Sequence, residues 1–98
     1  MRTDDIVKVK IKEICVGSIV RHFEYENLPE NEKRRNSLTY RVISLDCMHT
    51  ETYEELVIYQ ALYAPYRVFA RPKSDFFSLV DKNEYPNIKQ VIKFEKAN

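Results

Sequence analysis

A chain of 98 residues with 44% hydrophobic and 32% charged residues has the length and balance of one soluble domain with a single modest core. Sixteen basic residues against fifteen acidic ones leave a net charge of +1, which exerts no global pull toward nucleic acid or anionic lipid. No apolar run approaches the roughly 18 residues of a membrane helix, and the segment from Met1 to Ile14 alternates apolar and charged residues where a signal peptide would be continuously apolar. A single domain over 1–98 and a cytoplasmic location are therefore expected, with Cys15 and Cys47 as reduced thiols.

In chain order, Val7 to Ile14 reads as a strand. Val7, Val9 and Ile11 alternate with Lys8, Lys10 and Lys12 at a period of two, so residues 1–16 form an N-terminal strand extension with a solvated lysine face. Gly17, the only glycine, suits a turn with positive φ. Ser18 to Glu26 continues as a second extended stretch. Residues 26–37 then turn polar, charged and proline-broken, which predicts a mobile loop with Lys33-Arg34-Arg35 at its tip.

Leu38 to Leu45 is rich in strand-forming residues, and Asp46 to Thr50 forms the following turn. The next segment, Glu51 to Tyr63, admits two readings. Thr52-Tyr53-Glu54-Glu55 fits a helical capping box, whereas Val57, Ile58, Tyr59 and Tyr63 favour a strand ending at Ala64-Pro65-Tyr66. Arg67 to Arg71 is a short strand stopped by Pro72. Ser74 can cap one helical turn carrying Asp75, Phe76 and Phe77. Asp81 to Asn87 is a turn region, and Ile88 to Phe94 a closing strand. Five or six short strands and one short helical turn predict a mostly β protein, a small twisted β-barrel.

Several of these pieces resemble DUF1653, a bacterial family of small proteins with no assigned function. They are Gly17, Arg21-His22-Phe23, Tyr40-Arg41-Val42-Ile43, and the block His49-Thr50-Glu51-Thr52 with Glu54 to Tyr63. Ala70-Arg71-Pro72, Phe76 and Lys93-Phe94 follow. The resemblance covers most of residues 17–94. It implies an SH3-like barrel in which Glu54–Leu62 is a strand, and no activity. Three departures stand out: the insertion at 26–37, about one extra residue near Asp46-Cys47-Met48, as a bulge would give, and Asp75 in place of an apolar residue.

Chemistry-bearing residues fall into three sets. His49 and Glu51, two apart, share a face of a strand and could couple, as a structural ion pair or a weak general acid. Cys47 near His49 is the only sequence-local nucleophile, and no full catalytic constellation accompanies it, so no catalytic residue is assigned. Cys15, Cys47, His22 and His49 could in principle hold zinc, but the close ligand pairs of a structural site are missing, so neither metal nor cofactor is expected.

Arg21, Arg41 and Arg71 suit carboxylate or phosphate recognition, or cross-strand pairing with Glu51, Glu54 or Glu55. The reading with most support is a binding or interaction module for a small polar ligand or a peptide. Its site would be Arg21, His22, His49, Glu51, Tyr59 and Arg71, gathered at one end of the barrel. RNA binding is the first alternative, requiring Lys8, Lys10, Lys12, Lys89 and Lys93 on one face. A weak enzyme using His49 and Glu51 is the second, and an oligomerising barrel edge is a purely structural option.

Overall fold

The computed structural model describes residues 2–97. Five antiparallel strands make one sheet, β1 (Ile19–His22), β2 (Thr39–Met48), β3 (Glu55–Ala61), β4 (Val68–Pro72) and β5 (Phe94–Lys96), in the order β4-β3-β2-β1-β5. The pattern in β3 explains its orientation. Val57, Tyr59 and Ala61 alternate inward and are at most 4% exposed, the period of a half-buried strand. The capping-box reading of Thr52–Glu55 is thereby excluded. Gly17 takes φ 92° before β1, and its amide donates to the Val42 carbonyl.

The mostly β architecture agrees with the sequence reading, but the sheet is not closed by hydrogen bonds. Among the described residues β4 pairs only with β3 and β5 only with β1, so the barrel expected from the sequence is not completed. The sheet is nonetheless strongly curled. In β2 the register shifts between Val42 and Ser44 and again between Ser44 and Cys47, and bulges of this kind bend and twist a strand. The second shift absorbs the extra length near Asp46–Met48.

The N-terminal segment departs furthest from expectation. Instead of a strand over Val7–Ile14 it forms a helix, α1 (Thr3–Lys12). The even alternation of apolar residues and lysines conceals a second pattern, with Val7, Ile11 and Ile14 at i, i+4 and i+7. Val7 and Ile11 pack on the core and Ile14 is buried, whereas Val9 is 49% exposed. Asp4 and Asp5 in the first turn and Lys10 and Lys12 in the last complement the helix dipole.

Residues 26–37, expected as an irregular loop, carry the end of a 3-10 helix (Phe23–Asn27) and a short helix, α2 (Glu30–Arg34). The extended stretch from Ser18 therefore ends at His22 rather than Glu26. After α2 the Ser37 hydroxyl donates to Glu32 Oε2 at 2.6 Å, and Asn36 and Leu38 take positive φ. The helical turn after β4, α3 (Lys73–Phe76), begins one residue before Ser74; Pro72 occupies the N-cap, and no side chain caps the helix.

The closing strand lies later than the predicted Ile88–Phe94, and β5 begins only at Phe94. Residues 88–93 are irregular apart from a bridge between Leu79 and Ile92. Their backbone amides find side chains instead: Glu26 accepts from Lys89 and Gln90, and Glu95 from Val91 and Ile92. Lys82 donates to the carbonyls of Ile88 and Gln90. Buried backbone groups need such partners where no ladder runs.

The main core lies inside the curl, with Phe76, Phe94, Ile92, Val20, Val42 and Val57 fully buried. Phe76 and Phe94 stack with ring centroids 4.4 Å apart and planes 3° from parallel. Tyr40 and Tyr59 meet edge to face, centroids 5.1 Å apart, the arrangement aromatic quadrupoles favour. Burial raises the Tyr40 phenol above its ordinary range, and its hydroxyl shares a hydrogen bond with that of Tyr63 at 3.0 Å. Phe23, Val80 and Ile88 form a second cluster, with Tyr85 against it.

Candidate functional site

Arg21 and His22 are neighbours on β1, so their side chains leave opposite faces of the sheet. His22 lies at the end of the strand where the chain enters the 3-10 helix. Its ring packs on Phe23, centroids 4.3 Å apart, and meets Phe94 edge-on at 5.1 Å. The Glu24 amide donates to His22 Nδ1 at 3.2 Å. A ring accepting at Nδ1 and neutral overall carries its proton on Nε2. Burial lowers the His22 pKa below its ordinary value, the nearby Glu24 carboxylate opposing and Arg71 and Lys93 reinforcing that shift.

Arg71 comes from β4. Its Nε donates to the Tyr59 hydroxyl at 3.1 Å, Nη1 to Asp75 Oδ2 at 2.7 Å, and its guanidinium lies 5.0 Å from the centre of the Phe94 ring. Lys93 donates to the other Asp75 oxygen at 2.8 Å. Asp75 thus holds two cations with one carboxylate. The hydrogen bond from Lys93 is the leading cause of its lowered pKa, and Arg71 adds to it. Burial alone would lower the Arg71 pKa; the bonds to Tyr59 and Asp75 outweigh it and raise it.

His22, Arg71 and Lys93 border a cleft of about 420 Å³. Arg71 and Lys93 line one part, His22 and Phe23 another, while Glu24, Asp81 and Glu84 supply carboxylates and Tyr85 a phenol. The Tyr85 hydroxyl donates to Glu24 Oε1 at 3.2 Å. The cleft therefore joins fixed cations to carboxylates, with an uncharged imidazole among them.

Of the six residues selected from the sequence, the structure gathers three here: His22, Arg71 and Tyr59, the last buried as the support of Arg71. Arg21 is elsewhere, its guanidinium 4.2 Å over the Tyr25 ring. His49 and Glu51 sit exposed in the turn between β2 and β3. There the amides of Glu51 and Thr52 both donate to His49 Nδ1, at 3.2 and 3.3 Å, and the Glu54 amide to Thr52 Oγ1. The expected coupling of His49 with the Glu51 carboxylate is thus replaced by imidazole–backbone bonds that shape a turn.

Arg41 donates to the Gly17 carbonyl at 3.3 Å, and Glu55 pairs with Lys73 at 3.7 Å. Both cysteines are free, with Cys15 Sγ 3.4 Å from the Ser18 hydroxyl. Among the described residues no group of three or more His, Cys, Asp or Glu side chains could hold a metal. Of the five lysines considered for RNA, Lys10 and Lys89 line one cleft and Lys93 another. Lys10 pairs with Glu95 and Lys93 with Asp75, while Lys8 borders a separate groove with Val7 and Leu79. No helix among the described residues is long and apolar enough to cross a membrane.

Asp75, Lys93 and Tyr85 escaped selection from the sequence. Asp75 was visible only as a carboxylate where an apolar residue is usual, and four residues after Arg71 it stood at a spacing that suits an ion pair. Lys93 was visible as the basic residue before Phe94 and as one of the five lysines considered for RNA, but not as part of this site. Tyr85 gave no signal, because its position depends on packing against Phe23, centroids 4.8 Å apart.

A family model described as "Protein of unknown function (DUF1653)" matches residues 18–96. The match takes in all five strands, leaves α1 outside, and shows that the chain belongs to this family. No curated protein and no solved structure gives a match.

Proposed function

We propose that this DUF1653 protein binds a small zwitterionic ligand, of the free amino-acid kind, in the cleft between His22 and Arg71. The observation carrying this reading is the division of charge. Arg71 and Lys93 share a single carboxylate, Asp75, which leaves one positive charge to attract a ligand carboxylate. Glu24, Asp81 and Glu84 border the same cleft and suit an ammonium group. Tyr85 and the neutral His22 provide rings for an apolar body between the two. A volume of about 420 Å³ is within the usual range of small-molecule sites.

The accompanying reading of the fold is an SH3-like sheet rolled nearly closed, its seam spanned by Arg71 and Phe94 instead of by backbone bonds. The test is amide shift mapping of the labelled chain during titration with an amino-acid mixture. Saturable shifts at His22, Arg71, Asp75 and Lys93, lost in Glu84→Gln with Asp81→Asn, support the reading. Shifts absent from these residues, or unchanged in that double variant, refute it.

A further inference from the structure

On the opposite face of β1 from His22 lies a larger cleft, of about 620 Å³. It is built by α1, the 3-10 helix, α2, residues 87–90 and β5. Lys10, Lys33 and Lys89 come to it from three separate segments. Two carboxylates in its wall, Glu26 and Glu95, are already engaged. Glu26 accepts from the amides of Lys89 and Gln90 at 2.8 to 3.1 Å, and Glu95 from those of Val91 and Ile92 at 2.6 and 3.2 Å. Glu95 also meets Lys10 at 3.5 Å, whereas Lys33 and Lys89 form no ion pair among the described residues.

Behind this surface stands Arg21, over Tyr25, which itself lines the cleft. Arg21 Nε is shielded from solvent and has no hydrogen-bond partner. Its cross-strand neighbour is Glu95, whose carboxylate is taken up by the two amides and Lys10. Lys33 approaches the same tyrosine ring, 5.4 Å from its centre. Four cations thus stand against two carboxylates, Glu26 taken up by backbone amides and Glu95 by two amides at Oε2 and Lys10 at Oε1. A site of this kind attracts an anion with several acceptor oxygens. The side chains of Asn27 and Asn87, also in the lining, make no hydrogen bond among the described residues and can pair with hydroxyl groups.

We infer that this cleft is a second binding site, taking a phosphorylated small polyol with its phosphoryl group between Lys33 and Lys89 and its hydroxyls on Asn27 and Asn87. Lys10 lies outside the residues matched by the family, so the site draws on α1 as well as on the family's own fold. It stands independently of the His22 cleft.

The test is a shift-mapped titration of the full chain with ribose 5-phosphate, inorganic phosphate, ribose and a short single-stranded RNA in turn. Ribose 5-phosphate is expected to give saturable shifts at Asn27, Lys33, Asn87 and Lys89, inorganic phosphate weaker ones at the lysines alone, and ribose none. Lys33→Ala with Lys89→Ala should weaken ribose 5-phosphate binding at least about tenfold, or about 1.4 kcal/mol, with the melting temperature unchanged. Asn87→Ala should weaken the sugar phosphate but leave inorganic phosphate binding unaltered. The proposal is overturned by an equal response to ribose, by binding confined to RNA, by binding undiminished in the lysine double variant, or by no saturable shift at all.

Discussion

Arg71 and Phe94 belong to the two outermost strands of the sheet, β4 and β5, yet the guanidinium lies 5.0 Å from the centre of the phenylalanine ring. Four inter-strand steps in a flat sheet would separate those strands by about 19 Å. The contact therefore measures the curl that the β2 bulges produce. It also explains how a strand-edge arginine comes to share a cleft with His22, which is on β1 beside β5.

Arg71 joins three elements: Tyr59 on β3, Asp75 on α3 and Phe94 on β5. Arg71→Ala should destabilise the protein by about 2 kcal/mol, from two charge-assisted hydrogen bonds and a cation–π contact at a partly exposed position. Arg71→Lys should recover less than half of that, because an ammonium cannot present a planar face to Phe94 while reaching both Tyr59 and Asp75. Urea unfolding of the three proteins measures both effects. Equal stability of the wild type and the alanine variant would show that the seam does not depend on this side chain.

His22 sets a pH dependence whose sign follows from its burial. Its folded pKa lies below the ordinary 6.5, so the unfolded chain takes up the proton first as pH falls. Stability then decreases with falling pH from about the unfolded value down to the folded one, and this group contributes no slope above that window. Asp75, with its pKa lowered by Lys93 and Arg71, acts in a separate, more acidic window. Its contribution is present above its unfolded pKa and is lost as pH falls through the folded one. Urea midpoints from pH 8 to pH 5 should decline in the wild type and stay flatter in His22→Gln.

His49 anchors the β2–β3 turn through its acceptor nitrogen, and Glu51 contributes a backbone amide rather than its carboxylate. His49→Ala should cost about 1 kcal/mol, in line with the loss of a side-chain acceptor for exposed backbone donors. His49→Asn should recover part of this, since a short amide can accept from the same backbone. Glu51→Ala should change stability by less than about 0.5 kcal/mol. Thermal unfolding of the three variants distinguishes this role from ligand binding, in which Glu51 would matter for affinity and His49 would not matter for stability.

The extent to which the sequence was legible follows from how local each signal was. Pattern alone left Glu55–Ala61 open between a capped helix and a strand, and the family resemblance decided for the strand. Gly17 announced its turn, and the bulge near Cys47 showed as length added relative to the family. The cleft depends on Arg71, Asp75, Lys93 and Tyr85 meeting across the sheet's seam, and such meetings are set by curl. His49 and Glu51 were conspicuous for their chemistry, but in this turn the acceptor nitrogen and the backbone do the shaping. Residues 26–37 looked irregular because α2 spans only Glu30–Arg34, too short to display an apolar face.

The N-terminal segment gives the plainest contrast between two periods. In a strand, Val7, Val9 and Ile11 would point the same way and would respond alike to truncation. In α1, Ile11 packs on the core whereas Val9 is 49% exposed. Val9→Ala should therefore be neutral or slightly stabilising, by up to about 0.5 kcal/mol, because alanine is the better helix former. Ile11→Ala should cost about 2 kcal/mol, the lower end for truncating a buried aliphatic side chain, since this one is only partly buried. Chemical denaturation of the two variants reads the difference directly. Equal losses at both positions would restore the extended reading of the segment, and a loss at Ile11 alone would place α1 against the core as part of the folded unit.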